Sequence, residues 1–369
     1  MLTTPPAAET LIAVSAEPSA GFWRESWRRF RKRKLAVVAL VFVVALTAVA
    51  AAAPMIAGTR PIVTRYKGEL YFPAFWYYNR SWENPIFSKD RFRGNFVESL
   101  KAKDPESWAI WPLIYQDPYR RVRGDLVWPG TPENPANGPP SRHHWFGTNS
   151  QGFDVFASMV HGAQTAVSVG FISMSIAATI GITLGALAGY FGGWVDTVIS
   201  RIIEVVMCIP SLVLILALVA LLDRVTNFHL MVIVGCTGWT GIARLTRAEF
   251  IKLKQMEFVS AARAMGAGSG RIMFIHILRN ALAPVLVPIT FGIADAILIE
   301  SGLSFLGFGA SPPNPSWGTL LSAGRNSIET TWWLILFPGA AIFLTVLAYN
   351  LIGEGLQEAT DPRLRQDAH

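Results

Sequence analysis

The run LAVVALVFVVALTAVAAAA, Leu35 to Ala53, contains no charged residue. As a helix rising about 1.5 Å per residue it reaches across the hydrocarbon core of a bilayer. The rest of the chain agrees. Of its 369 residues 51% are hydrophobic and only 15% charged, where soluble domains carry roughly a quarter charged residues. A secretory signal peptide is rejected, although AAAAP at Ala50 to Pro54 mimics a small-residue cleavage site. The apolar run is longer than an h-region of about 7–15 residues and begins late.

The net charge is +7, and much of the excess sits in RRFRKRK, Arg28 to Lys34, directly before the first span. Basic residues beside a span are retained on the cytoplasmic side. Nucleic-acid binding is set aside, because no aromatic-interleaved basic fold surrounds the cluster. Met1 to Ala20 is Pro/Ala/Thr-rich and reads as disordered. GFWRESWRRF, Gly21 to Phe30, reads as an amphipathic piece with Phe22, Trp23, Trp27 and Phe30 at headgroup level.

Residues 55–163 form different material, rich in Tyr, Trp, Pro and charge, with no run long enough to span. At about a hundred residues it suffices for a small domain. YKGELYFPAFWYY reads as strand in part with a KG turn, and Pro129 to His144 as a linker. The aromatic run Phe75, Trp76, Tyr77 and Tyr78 either packs that domain or contacts another molecule. His143, His144 and His161 match no metal-ligand spacing.

Further spans follow. The second covers Thr165 to Phe191, where Gly170, Gly181, Gly185 and Gly189 suit close helix packing. GGWVD forms an inner turn. The third span covers about Val205 to Leu222, kinked at Pro210. The fourth covers Leu230 to Leu245, the fifth Leu282 to Ile299, and the sixth Trp332 to Ile352. Cys208 and Cys236 lie in apolar runs and read as buried thiols, without a disulfide framework or a metal. Thr246 to Asn280 carries Arg247, Lys252, Lys254, Arg263, Arg271 and Arg279 against Glu249 and Glu257, which places this loop and both termini inside. The organisation is therefore a cytoplasmic segment 1–34, a transmembrane helix 35–54, an outer insert 55–163, a five-helix core 164–356 and a cytoplasmic tail 357–369.

The loop SAARAMGAGSGR lacks the Lys and Ser/Thr of a P-loop, and helix rather than strand precedes it. Its geometry suggests contact with another protein instead. Ala261, Ala262 and Ala264 strip bulk from one turn, Gly266 suits a left-handed helix end, and Ser269 is placed to cap a second helix. A small-sided helix can sit deep in a partner's groove.

FVSAARAMGAGSGRIMFIHILRNALAPVLV resembles the EAA loop of ABC-importer permeases. Ala261 and Ala262 match its alanine pair and Gly266 its glycine, while Ser260 stands at the Glu position and Leu278-Arg279 at the Leu-Pro position. HHWFGTNSQGFDVFASMVHGAQTAVSVG, GGWVDTVISRIIEVVMCIPSLVL, ESGLSFLGFGASPPNPSWG and GEGLQEATDPRLR resemble, in order, stretches of dipeptide/oligopeptide permease C-type subunits. RYKGELYFPAFWYY and GPPSRHHWFGT resemble the Yej-type permease E subunits. The resemblance implies an all-α, six-helix type I importer permease with a periplasmic insert, multi-pass in the bacterial inner membrane. It implies a second homologous permease, a cytosolic P-loop ATPase and a periplasmic peptide-binding protein as partners. ATP and Mg would reside on the ATPase, with no cofactor and no catalytic residue here. Cargo would be peptides or peptide-like compounds, including microcin C-like antibiotics and murein peptides. Loop 247–280 would dock the ATPase through Ser260, Ala261, Ala262, Ala264, Met265, Gly266 and Arg271.

Two acids in the fifth span remain. Asp295 is read either as lining the path, where it meets a peptide's amino group or basic side chain, or as a structural contact. Glu300 is read either as shaping the outer gate or as an interfacial carboxylate in water. The rival classes are an ion-coupled secondary transporter, which expects internal repeats and several midplane ionisable groups, and a membrane-tethered scaffold acting through its insert.

Overall fold

The computed structural model describes residues 22–78, 96–119, 121–122, 133–310 and 314–360. The readings of Met1 to Ala20, of residues 129–132 in the linker and of the tail beyond Thr360 lie outside these residues. Helix α1 (Phe22–Lys32) is separated from α2 (Lys34–Ala51) by Arg33 alone, and the short α3 (Ala53–Ile56) follows. The insert then forms β1 (Val63–Tyr66), β2 (Glu69–Tyr71), a 3-10 turn at Pro73–Tyr77, α4 (Phe96–Lys103) and β3 (Trp108–Ile110). The antiparallel sheet has the order β2-β1-β3. Lys67 and Gly68 both take positive φ, 49° and 84°, as a two-residue hairpin turn requires. The KG turn read from the sequence is therefore present.

The core comprises α5 (Val155–Phe191), α6 (Gly193–Met207), α7 (Ser211–Ala220), α8 (Asn227–Thr237), α9 (Thr240–Leu253), α10 (Glu257–Ala264), α11 (Ser269–Phe305), α12 (Trp317–Gly324) and α13 (Trp333–Thr360). Four helices, α2, α5, α11 and α13, are long and apolar enough to cross a membrane. If each bent pair α6/α7 and α8/α9 counts as one span, there are up to six.

Helix α5 organises the bundle, packing against α9, α8, α11 and α2. Glycines make the closest of these contacts. A Cβ added at Gly181 would lie 2.8 Å from the Trp239 carbonyl oxygen, and one at Gly185 would lie 2.8 Å from Thr246 Cβ. At Gly189 it would lie 2.6 Å from Phe250 Cβ. The three recur every fourth residue, so they form one seam along which the α9 backbone settles on α5, the small-residue device of lipid-embedded helices. Gly170, about three turns earlier, leaves room for the side chains of Ile293 and Ile297 of α11.

Several expectations are corrected. The helix that carries the second span extends back to Val155, where Asp154 caps α5 by accepting from the Ala157 amide at 2.8 Å. The expected GGWVD turn shrinks to Gly192 alone, with Gly192 and Gly193 at φ of 68° and 56° and α6 helical from Gly193 onward. Pro210 does more than kink the third span, since α6 and α7 meet at 80°. Proline has no N–H to continue the ladder and its ring clashes with the preceding turn. The fourth span bends by 40° between α8 and α9. Ser269 does not cap the helix it opens; Gly268 occupies the cap position with no side-chain hydrogen bond. Cys208 and Cys236 are exposed on this chain rather than buried. In a membrane protein, apolar neighbours along the chain mark lipid-facing and partner-facing surface as readily as core.

Candidate functional site

The loop that carries SAARAMGAGSGR is a helix–turn–helix built on its own apolar cluster. Val259 and Ala262 of α10 pack with Phe250 of α9, Tyr190 of α5, and Ile272, Met273, Ile277 and Ala281 of α11. Gly266 ends α10 in the left-handed region at φ +81°, which its lack of a Cβ allows. Two of the loop's cations fasten it to the core. Arg247 holds Asp196 of α6 through two hydrogen bonds, one of them Nη2 to Oδ2 at 2.6 Å. Lys254 Nζ donates to the Tyr190 carbonyl at 2.5 Å and so caps the C-terminal end of α5. Arg263, Arg271 and Arg279 stay exposed.

The sequence-read docking residues separate into two faces. Ser260, Ala261, Ala264, Met265, Gly266 and Arg271 are exposed together, and Met265 is 80% exposed at the tip. Ala262 is 2% exposed and faces inward. It belongs to the seam that seats α10, so the expectation that it lies on the contact face is corrected. Sequence reading missed the neighbouring apolar groups Met256, Phe258, Phe274 and Ile275, which are also exposed. Phe274 and Ile275 sit in a π-helical segment, Ile272–Ile277, inside α11. Such segments are frequent at functional sites, and no residue pattern announces this one.

The two acids of α11 are not brought together. Asp295 is exposed on the face that also carries the half-exposed Leu298, while its neighbours Ala294 and Ala296 are buried. Glu300 is 1% exposed. It accepts from Ser304 Oγ at 2.7 Å and from Ser301 Oγ at 3.4 Å. A water-facing carboxylate at this position is therefore corrected to an internal anchor. It lies where α12 crosses α11, with Gly318 tight against Ser301 and Ser304.

A polar clasp gathers the N-terminal end of α5. His144 Nδ1 lies 2.9 Å from Asp154 Oδ2, both side chains buried, so the acid that caps α5 also holds the linker. Trp333 Nε1 donates to the Thr148 carbonyl at 3.1 Å, and Trp317 Nε1 to the Met159 carbonyl at 3.0 Å. His161 Nε2 meets the Ala57 carbonyl at 2.8 Å. Tyr77 accepts from the Thr59 amide at 2.9 Å and donates to Asp117 at 3.2 Å. Burial, and then the Asp117 charge, push its phenol above the ordinary range, so it remains a donor. The aromatic run is thus divided: Tyr77 packs the insert, whereas Phe75 and Tyr78 are exposed. Among the described residues no cluster of His, Cys, Asp and Glu has a metal-binding arrangement.

Residues 181–366 match the profile of the binding-protein-dependent transport system inner membrane component family. Residues 21–73 match that of the N-terminal transmembrane domain of oligopeptide transport permease C. The chain is 33% identical to the dipeptide transport system permease protein DppC of Alkalihalophilus pseudofirmus, over 98% of this chain and 95% of that protein. It is 39% identical to a peptide permease protein of Brucella suis, over 75% of this chain and 90% of that protein. A chain of the MetNI methionine ABC transporter, solved in an inward-facing conformation, aligns with a TM-score of 0.41 at 16% identity, covering 53% of this chain and 95% of its own.

Proposed function

The chain belongs to the binding-protein-dependent transport system inner membrane components, in the oligopeptide permease C branch, and we propose how its parts serve an ABC importer for peptides. It is a transport subunit; the covalent chemistry, ATP hydrolysis with its Mg, belongs to a partner ATPase. A second homologous permease completes the translocation path, and a binding protein delivers cargo at the insert side. In this reading the bent pairs α6/α7 and α8/α9 each cross once, and both termini and α10 lie in the cytoplasm, on the side where the basic residues are in excess.

The observation that carries this reading is the docking loop. One face of α10 is seated on the chain's own core, and the opposite face offers Ser260, Ala261, Ala264 and Met265 to an outside groove. Arg271 adds a cation at its edge. A seated helix of this kind transmits a partner's motion as a rigid contact. Asp295, on the open face of α11, meets the ammonium group of a passing peptide. Glu300 shapes the outer end through α12 rather than touching cargo. The Yej-type reading, with microcin C-like and murein peptides as cargo, rests on the aromatic insert motif and is narrower than the family.

The test is gentle affinity purification of the full chain from native membranes. Recovery of a P-loop ATPase and a sister permease supports the assignment. A homo-oligomer without an ATPase, reproduced in several mild detergents, defeats it.

A further inference from the structure

Helix α1 carries a cationic face that the transport reading does not use. Its other face is fixed. Phe30 is 3% exposed and packs over Gly355 of α13, where an added Cβ would lie 2.9 Å from the ring. Arg33, the single residue before α2, pairs with Glu358 of α13. Arg29 is neutralised by Glu25 at 2.6 Å.

The outer side is left with Arg24, Arg28, Arg31 and Lys32, all exposed and none with a hydrogen-bond or ion-pair partner among the described residues. Trp27, 53% exposed, lies among them, stacked on Phe30 at 5.6 Å with the rings 10° from parallel. These side chains and Glu25 line a depression of about 620 Å³.

Position fixes what can reach this depression. The bilayer-crossing α2 begins two residues after α1 ends. A helix fastened that closely to a span, and tied to α13 as well, stands at the level of the headgroups. There, cations with an aromatic ring beside them match a negative headgroup and the glycerol beneath it. We propose that this face of α1 is a binding site for anionic phospholipid, with the lipid phosphate held by Arg24, Arg28 and Arg31 and the glycerol region lying against Trp27. The site sits against the end of α13, so bound lipid also secures the terminal segment to the bundle.

The experiment uses the full chain, delipidated in mild detergent and offered phosphatidylglycerol or phosphatidylcholine, with retained lipid counted by native mass spectrometry. Each basic side chain near an anionic surface contributes about fivefold. The variant R24Q/R28Q/R31Q should therefore retain phosphatidylglycerol roughly a hundredfold less well than the parent, with phosphatidylcholine unchanged. R24K/R28K/R31K should keep most of the preference. Raising salt should weaken the parent's retention, because these charges are exposed.

Equal phosphatidylglycerol retention by the parent and the glutamine variant overturns the proposal. So does displacement of the lipid by inorganic phosphate at comparable concentration, which would mark a free-anion site. Loss of a co-purified ATPase with lipid retention intact overturns it in favour of a protein contact. If the glutamine variant does not elute as the parent does, the parent's salt dependence decides, and salt-insensitive retention is fatal to the idea.

Discussion

Met265 gives the sharpest check on the docking face. It stands at the C-terminal end of α10, 80% exposed, on a helix whose opposite side is buried. Fully burying a methionine side chain contributes about 1.5–3 kcal/mol. The exposed share available to a partner is therefore about 1–2.5 kcal/mol. Ordering the flexible side chain in the complex takes back about 0.5–1.5 kcal/mol. Met265→Ala should thus weaken ATPase binding by about 1 kcal/mol, close to fivefold. The permease's own stability should move by no more than about 0.5 kcal/mol, since the side chain supports nothing in the fold. Ala262→Arg should behave in the opposite way. It forces a guanidinium between Val259, Ile272 and Met273, and an unpaired buried charge costs several kcal/mol. The assays are a titration of the purified full chain with its ATPase in detergent and a thermal melt of the chain alone. An unchanged affinity for Met265→Ala, or a wild-type melt for Ala262→Arg, would falsify the two-faced assignment of α10.

Three other outcomes follow from the packing. Gly185→Leu fills the α5–α9 seam where α9 backbone lies in the way, so it should lower the melting midpoint by the equivalent of about 1–3 kcal/mol; a midpoint at or above wild type would show that the helices can part without penalty. Glu300→Ala removes the acceptor shared by Ser301 and Ser304 and should destabilise the chain by about 1–3 kcal/mol, with Glu300→Gln recovering part of the loss, as read by thermal melts of both variants. Asp295→Asn should slow uptake of peptides with a free amino group or a basic side chain more than that of N-acetylated neutral ones; equal rates for both cargo classes, measured in proteoliposomes with the complete transporter, would remove Asp295 from the path.

Much of this architecture was legible because its causes are local. Gly266 announced a left-handed helix end, Lys67-Gly68 a tight turn, and the glycines spaced by four along α5 a close helix contact; all three are present. What escaped the sequence depends on direction. Ala261 and Ala262 are chemically identical, and only the seating of α10 on Met273 and Ile277 turns one outward and the other inward. The same ambiguity misled the reading of Cys208 and Cys236, because lipid and core look alike to an apolar run. The 80° break at Pro210 was foreseen only as a kink, and the π-helical segment in α11 not at all. His144 and Asp154 lay inside one quoted stretch without being singled out, and they form one buried pair that caps α5 and holds the linker.

Helix α5 has 37 residues, about 55 Å of rise, against a hydrocarbon core of about 30 Å. It contains no proline, whereas α11 has Pro284 and Pro288 and α13 has Pro338. One end is gripped by the His144–Asp154 pair, and the other carries the Lys254 contact beside the α10 loop. Mechanically it is a strut, stiff along its length and loaded at both tips. A tilt of about 10° at the loop would sweep the far tip through about 10 Å, given that length. The insert riding there would move as a pointer does on a lever arm, so that one end of the bundle would register the state of the other without any signal passing through side chains.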